Sequence, residues 1–384
     1  MTPIRKVPEA TIDGNRLRLI ASGKERYDSI LSLIDGAKET LSLLFYMFTD
    51  DEAGEAIRDA LVRAAGRGVE VKLLVDKFGC VAVKPEFLEP LKMAGGHYCI
   101  FHPSYGRRYL IRNHQKMAIA DGQRALIGGA NLNRHYLEDE GDDRWRDLWL
   151  LVEGPTVAYL QRYYADVHRW TTTGKHGIRE LLRLLNTHNE CEGALQWKFS
   201  GPMRRHNPWP AAIVKDINAG KRLDIVAAYF SPSRPMAKRI GRLAQRGEAR
   251  VVTAAKSDNT ATIAAARFTY RGLLKRGVRI FEYQPAKLHT KLYIVDDAVH
   301  IGSSNFDFRS IYLNLEVMLR IEDAGFAQAM RDFVDGEIAD SKQITPALHK
   351  KRATLWRRIK WAASYGLTTT MDYTVTRRIN FGFD

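Results

Sequence analysis

The chain has 384 residues, of which 45% are hydrophobic and 27% charged, enough for one large or two medium-sized cores. Lys and Arg number 59 against 44 Asp and Glu, and the resulting net charge of +15 favours an anionic partner, either lipid headgroups or nucleic acid. The cysteines form no CxxC, which argues against a disulfide framework or structural zinc and indicates a reducing cytoplasmic setting. No stretch reaches the roughly 18 apolar residues of a transmembrane helix. Residues 1–20 lack the apolar segment of a secretory signal, so we expect any membrane contact at the surface.

The first half of the chain alternates strands and helices. A strand is predicted over 40–48, and a helical stretch leads to a second strand over 69–75. A helix follows over 86–93, and after it come a glycine, a strand and a loop. This alternation predicts an α/β sheet covered by helices.

A short polar motif follows that loop. His114 and Lys116 precede an apolar run that predicts a β-strand, with Asp121 at its end. Residues i and i+2 of a strand share a face, so we expect the imidazole and the ammonium to point the same way. The next turn contains Gly129, where a ligand can approach the backbone closely, and Asn131, which offers amide donors.

The second half repeats this order. Strands are predicted over 222–230 and 249–253, and a helix over 261–275. The polar motif returns with the same spacing between Lys and Asp, in the residues His289, Lys291, Asp296, Ser303 and Asn305. The repeat predicts two halves related by a pseudo-twofold axis, with the boundary near residue 195 and the histidines of both halves in one cleft.

The repetition decides how the motif is interpreted. A single His-x-Lys in a strand is most often structural or solvated. Two copies with matching spacing favour chemistry on a phosphodiester, because an imidazole titrates near neutrality and lies beside a cation and amide donors. One imidazole can attack phosphorus while the other transfers protons.

The paired pattern resembles the phospholipase D superfamily, whose members carry HxKxxxxD twice, each copy followed by a glycine-rich turn and an asparagine. Within it, the chain is most similar to bacterial cardiolipin synthases of the short type without transmembrane helices. The fragments that carry this likeness are LLFYMFTDDEAGEAIRDALVRAAGRGVEVKLLVD, VEGPTV and HTKLYIVDDAVHIGSSNFDFRS. The resemblance covers roughly residues 15 to 365. It implies an α/β fold of two phospholipase D-like sandwich halves, 1–195 and 196–345, with one active site at their interface.

The resemblance also implies roles. His114 would be the nucleophile that forms a phosphohistidine, and His289 the acid and base. Acids of the opposite half would orient them, Glu316 for His114 and Asp147 for His289. The candidate phosphate ligands are Lys116, Lys291, Asn131, Asn305, Gly129 and Ser303. Asp121 and Asp296 complete the candidate catalytic motifs, although we expect them to anchor their loops. The scheme requires no metal and no other cofactor.

Several further residues remain open to two interpretations. Tyr46 and Tyr229 end matching strands and could face the cleft or the core. Arg309 could bind phosphate or tie down its loop. The loop over 102–113 contains Arg107, Arg108 and Arg112, which could recruit anionic lipid or be solvated.

The C-terminal segment, 346–384, is basic and amphipathic. Its sequence LHKKRATLWRRIKW, over 348–361, surrounds an apolar stripe with positive charge. Such a helix can lie among lipid headgroups. The alternative is a surface helix packed on its own domain.

The function expected from these features is a phosphatidyltransferase that forms cardiolipin from phosphatidylglycerol, bound peripherally at the cytoplasmic face of the inner membrane. The nearest alternative is a phospholipase D that releases phosphatidic acid, and a nuclease of the same superfamily is the second. The basic tail and the synthase-like fragments favour lipid over nucleic acid. A noncatalytic lipid-binding module is disfavoured because both motifs are intact. The sequence leaves the oligomeric state and the lipid species undetermined.

Overall fold

Two eight-stranded sheets, one from each half of the chain, form the framework of the protein. The structure is a computed structural model and describes residues 7–102, 111–173, 177–190, 192–203 and 207–370. Arg107, Arg108 and the end of the C-terminal segment, 371–384, lie outside the described residues.

The first sheet has the strand order β1-β2-β9-β7-β6-β3-β4-β5. Its strands are β1 (Glu9–Ile12), β2 (Asn15–Ile20), β3 (Thr40–Phe45), β4 (Glu70–Asp76), β5 (His97–Phe101), β6 (Lys116–Ala120), β7 (Arg124–Gly128) and β9 (Trp149–Glu153). β3, β4 and β5 are parallel, whereas β6 pairs antiparallel with β3 and with β7.

The second sheet has the order β10-β17-β16-β15-β11-β12-β13-β18. Its strands are β10 (Leu195–Ser200), β11 (Arg222–Ala227), β12 (Glu248–Ala254), β13 (Arg279–Tyr283), β15 (Lys291–Val295), β16 (Ala298–Gly302), β17 (Glu316–Glu322) and β18 (Ser341–Ile344). β11, β12 and β13 are parallel, and β15 pairs antiparallel with β11 and β16, so the pairing of the first sheet recurs. The predicted α/β fold with two pseudo-symmetric halves is confirmed.

Helices cover the outer faces and also fill the space between the sheets. They are α1 (Gly23–Asp35), α2 (Glu52–Gly66), α3 (Glu89–Met93), α4 (Val157–Thr173), α5 (Ile178–Thr187), α6 (Pro208–Ala219), α7 (Arg234–Arg246), α8 (Thr260–Leu274), α9 (Phe308–Tyr312), α10 (Ala324–Ala339), α11 (Pro346–Arg352) and α12 (Leu355–Thr370). One apolar cluster contains residues of both sheets together with α4, α5 and α10. Burial of this apolar surface fixes the two halves against each other.

Strands near the centre of each sheet are buried on both faces. All five residues of β6 and all five of β15 are buried. This explains why the apolar runs after both motifs are continuous, because a strand covered on both faces shows no alternation. The predicted strands over 40–48 and 222–230 are shorter than expected, since β3 ends at Phe45 and β11 at Ala227.

The C-terminal segment differs from the single predicted helix over 348–361. α11 ends at Arg352 and α12 begins at Leu355, so the helix is interrupted between them. α12 packs along α8, with the rings of Phe268 and Tyr365 4.8 Å apart and Trp361 buried. The tip of α12 is nevertheless exposed, and the described helices include none with both the length and the apolar character to cross a membrane.

Candidate active site

Each motif histidine is held by the backbone of the opposite half. The His114 N–H donates to the Leu315 carbonyl at 2.9 Å, and the Leu315 N–H donates to the Arg112 carbonyl at 2.8 Å. The His289 N–H donates to the Arg146 carbonyl at 2.8 Å, beside the short parallel pair of β8 (Trp145–Arg146) and β14 (Lys287–Leu288). The two halves therefore cross at both histidines in the same way.

These crossings bring each histidine to an acid of the other half. His114 Nδ1 lies 3.0 Å from both carboxyl oxygens of Glu316, the residue after Leu315. His289 Nδ1 lies 2.6 Å from Asp147 Oδ2, the residue after Arg146. The pairs are those that the resemblance implied. Binding Nδ1 in this way fixes the ring orientation and turns Nε2 away from the acid.

Both imidazoles line a single cavity of about 390 Å³. Asn131 and Asn305 line it too, and Asn131 accepts a hydrogen bond from the Met47 N–H at 3.2 Å. An amide whose oxygen is occupied in this way leaves its NH₂ group to donate to a ligand. The cavity therefore combines two imidazoles with amide donors.

The motif lysines differ from the expectation that His and Lys share a strand face. Each histidine precedes its strand, and Lys116 and Lys291 are the first strand residues. Both side chains are fully buried, and each ammonium donates to the carbonyl of its own histidine, at 2.5 Å for Lys116. The reason is that the histidine backbones pair with the opposite half instead of continuing the sheet. The lysines thus fix the motif backbone from behind, and their predicted contact with phosphate stays a prediction.

Burial controls the protonation of the second pair. It lowers the pKa of His289 to about 3, with Lys291 acting in the same direction. Burial alone would raise the pKa of Asp147, but Lys291 and His289 together hold it below its ordinary value. A neutral imidazole that donates Nδ1–H to an ionised carboxylate keeps a lone pair on Nε2.

The protonation of the first pair, His114 and Glu316, differs from that of the second. Burial lowers the pKa of His114 well below its ordinary value and raises that of Glu316 to about 8, although Lys116 opposes the second shift. The Ser303 hydroxyl donates to Glu316 Oε2 at 2.5 Å. The His114–Glu316 pair therefore carries one proton more than the His289–Asp147 pair near neutrality.

Gly129 and Ser303, which occupy matching positions in the two halves, contact the acids. A Cβ on Gly129 would lie 2.4 Å from Asp147 Oδ1 and 2.8 Å from the Lys291 side chain, so only glycine leaves room for this pair. Within the described part of the chain, neither Gly129 nor Ser303 lines the cavity. Their predicted contact with phosphate stays a prediction, and their observed contacts position Asp147 and Glu316.

Asp121 and Asp296 lie at the far ends of β6 and β15. Asp121 accepts hydrogen bonds from the backbone N–H groups of residues 38–40, and Asp296 from those of residues 221 and 222. Both have positive φ angles, 54° and 45°, which Asp tolerates better than most residues. These contacts are those of loop anchors, and neither residue lines the cavity among the described residues.

Aromatic rings surround His289 more completely than His114. The ring centroids of Tyr136, Trp145 and Tyr229 lie 5.1, 5.2 and 5.9 Å from that of His289. His114 has Tyr46 at 5.1 Å. Tyr46 and Tyr229, which were open to two interpretations, both line the cavity. Tyr136 and Trp145 were not predicted from the sequence, although Trp145 stands two residues before Asp147.

A buried arginine that the sequence did not single out supports the second pair. The Arg26 guanidinium donates to the Asp147 carbonyl at 2.5 Å and to the Tyr136 carbonyl at 2.7 Å. Burial lowers its pKa to about 10. Arg26 therefore fixes both the acid and one of the rings around His289, and no local pattern in the sequence indicates this role.

No group of three or more His, Cys, Asp or Glu side chains suited to a metal ion occurs among the residues that the structure describes. The expectation of a metal-free reaction stays a prediction.

Comparison with solved structures defines the class of fold. The phosphatidylserine synthase of Haemophilus influenzae Rd KW20 superposes with a TM-score of 0.70 at 15% identity, over 96% of this chain and 98% of that chain. The polyphosphate kinase of Porphyromonas gingivalis gives a TM-score of 0.58 at 15% identity, over 86% of this chain and 49% of that chain. At these identities the likeness concerns the fold alone.

Sequence comparison defines the family. A family model described as "Cardiolipin synthase, PLD-like domain" matches residues 30–166 and 213–336. Cardiolipin synthase A of Pseudomonas aeruginosa is 31% identical over 352 residues, which are 89% of this chain and 71% of the relative. A cardiolipin synthase of Listeria monocytogenes is 33% identical over 361 residues, 91% of this chain and 74% of the relative. The chain belongs to the cardiolipin synthase family of phospholipase D-like proteins.

Proposed function

We propose that the protein is a phosphatidyltransferase that forms cardiolipin from two molecules of phosphatidylglycerol. The observation that supports this most directly is a single cavity lined by two imidazoles, each oriented at Nδ1 by an acid of the opposite half. Family membership adds the lipid substrate class, since relatives that cover most of the chain are named cardiolipin synthases.

The reaction divides into two displacements at phosphorus. In the first, Nε2 of His114 attacks the donor phosphate, a phosphorus–nitrogen bond forms, and the phosphorus–oxygen bond to glycerol breaks. The anionic phosphodiester favours the protonated imidazole, so His289 takes up a proton at Nε2 when the donor binds and gives this proton to the departing glycerol oxygen. In the second, His289 takes a proton from the acceptor hydroxyl, whose oxygen bonds to phosphorus and releases His114.

The asparagines supply the electrostatic part of catalysis. Asn131 and Asn305 line the cavity on matching turns of the two halves. Fixed donors aimed at the nonbridging oxygens stabilise the charge that develops there in the transition state. The buried lysines act at longer range, because their charges lie behind the histidines in surroundings of low polarity.

The tip of α12 is proposed as the membrane contact. The side chains of Leu355, Trp356 and Ile359 are 75%, 80% and 51% exposed. Arg357, Arg358 and Lys360 lie among them. Exposed aromatic and aliphatic groups enter the headgroup layer while the cations attract anionic lipid. The other end of α12 reaches the cavity at Thr368, so the helix joins the membrane contact to the site.

This arrangement supports peripheral attachment, and we place it at the cytoplasmic face of the inner membrane. At that surface phosphatidylglycerol would be both the substrate and the anionic component that binds the basic helix.

The test is product analysis with purified protein and phosphatidylglycerol vesicles, with and without a chelator. Cardiolipin and free glycerol are expected in both conditions. Phosphatidic acid as the main product would instead establish a hydrolase, and rapid DNA cleavage without lipid turnover a nuclease. His135→Ala serves as the control for replacing a histidine, because His135 lies outside the cavity among the described residues.

A further inference from the structure

The two ends of the cavity differ in chemistry. Around His289 the wall is aromatic, formed by Tyr136 and Tyr229, and Trp145 packs against both Tyr136 and His289 without lining the cavity. Near His114 it is cationic, because Arg112 and Arg309 are the only Lys or Arg among the described residues that line the cavity. A reaction at one phosphorus between two similar motifs does not require this difference.

Arg112 is held rigidly at the crossing of the two halves. It lies two residues before His114, and its carbonyl accepts the Leu315 N–H. Its guanidinium lies over the Phe78 ring, 3.3 Å from the centroid, and the residue is only 3% exposed. Its Nη1 donates to the Ile111 carbonyl at 3.0 Å, so the guanidinium is fixed in orientation as well as in position.

Arg309 comes from the other half and lies near the same histidine. Its Nη2 donates to Asn314 Oδ1 at 3.3 Å, and the Asn314 side chain lies 3.5 Å from Glu316, the partner of His114. Arg309 is 7% exposed, and its charge is one of the causes that lower the pKa of His114. The cation is therefore close enough to act on that imidazole.

Two buried guanidinium groups at one cavity carry a large desolvation cost. Two carboxyl groups, Asp258 and Asp307, also line the cavity, and Asp307 accepts the Ser310 N–H at 2.9 Å as the cap of α9. Guanidinium groups match the oxygens of a phosphodiester in geometry and charge, so a phosphodiester entering this cavity would meet two cations of suitable chemistry.

We propose that Arg112 and Arg309 form a second phosphate site, which holds the phosphodiester of the lipid acceptor while its headgroup hydroxyl reaches the phosphorus carried by His114. This inference rests on the proposed transferase function. The acceptor's phosphate and its terminal hydroxyl belong to one glycerol headgroup, so fixing the phosphate places the hydroxyl. Water has no phosphate for the two arginines to bind, so the site would favour transfer over hydrolysis.

The experiment offers two acceptors to the same donor. Phosphatidylglycerol vesicles with added ethanol yield cardiolipin from the lipid acceptor and phosphatidylethanol from ethanol, which lacks a phosphate. In Arg309→Gln and Arg112→Gln, examined separately, the ratio of cardiolipin to phosphatidylethanol is expected to fall about tenfold or more, the effect of losing a hydrogen bond to a charged group. Both products arise from the same phosphohistidine, so any change in the first displacement cancels in this ratio.

Arg134→Gln is the matched control, since Arg134 is on the surface of the first half, its side chain is 54% exposed, and it lies outside the cavity lining. An unchanged ratio in both cavity variants, or an equal loss of both products with an unchanged melting temperature, would overturn the proposal. If a Gln variant fails to fold, the corresponding Lys variant is measured instead. Lys keeps the positive charge but lacks the two parallel N–H donors of a guanidinium, so we expect the ratio of cardiolipin to phosphatidylethanol to fall about threefold. An unchanged ratio contradicts the inference. Failure of the proposed function is distinct, because the unaltered protein would then form no cardiolipin at all.

Discussion

His289 Nδ1 lies 2.6 Å from Asp147 Oδ2 although the two residues are 142 positions apart in the chain. The contact crosses from one half to the other, and His114 with Glu316 makes the reciprocal crossing. Each half therefore contributes one reactive imidazole and the acid that orients the imidazole of the other half.

Loss of either acid should impair catalysis more than stability. In Asp147→Asn and Glu316→Gln the shape is kept, but the side chain no longer fixes the histidine tautomer, so we expect kcat to fall by about a hundredfold or more. The measurement is cardiolipin formation together with a thermal melt, and Asp142→Asn on the exposed loop is the control. Full activity in both variants would exclude an orienting role.

The roles of the two histidines can be separated by trapping. Following the resemblance, His289→Ala should accumulate a phosphatidyl adduct on His114, because the acid and base steps become slow while attack remains possible. The exchanged assignment, in which the additional proton of the His114–Glu316 pair makes His114 the acid, predicts an adduct on His289 instead. Mass spectrometry of both alanine variants locates the adduct. An adduct on His289 in His114→Ala would show that His289 is the nucleophile.

Gly129→Ala should inactivate the protein. The added methyl group would meet Asp147 and Lys291 at less than contact distance and push the carboxylate away from His289. Gly66→Ala is the matched control, because a Cβ there has no neighbour within 4 Å and the residue lies in a helix, where Ala is favoured. Equal activity of the two variants would show that the contact has no catalytic importance.

Stability should fall as the pH falls below about 6.5, partly because of His289. In the unfolded chain this imidazole takes up a proton near its ordinary pKa of 6.5, whereas in the folded protein burial lowers the pKa to about 3. Protons thus favour the unfolded state between these values, by up to about 1.4 kcal/mol per pH unit for one group. Urea unfolding at pH 7 and pH 5 should show a smaller loss for His289→Gln than for the unaltered protein. Equal losses would contradict the buried neutral imidazole.

The membrane contact can be tested without touching the site. Replacing Leu355, Trp356 and Ile359 together by Ser should abolish sedimentation with phosphatidylglycerol vesicles and leave the melting temperature unchanged, because all three are exposed. Met93→Ser, at an exposed residue on α3, is the control. Unchanged binding of the triple variant would exclude this end of α12 as the contact.

The α/β halves and the motif residues could be predicted from the sequence, because hydrophobic periodicity and the repeated motif spacing are properties of short stretches of sequence. The lengths of β3 and β11 were overestimated since Tyr46 and Tyr229 are as apolar as strand residues yet turn into the cavity. Arg26 was missed because its partners, the carbonyls of Tyr136 and Asp147, are backbone groups distant in the chain. The break between α11 and α12 was not predicted; both helices pack against α8, which is distant in the chain, and a local sequence period does not reveal such contacts.

The apolar cluster shared by both sheets has a consequence for how lipids are handled. The two halves bury a common core and exchange backbone contacts at both histidines, so we expect them to move as one body throughout turnover. The phosphate of a lipid would then enter a site that is already formed, in which the two imidazoles keep a constant separation.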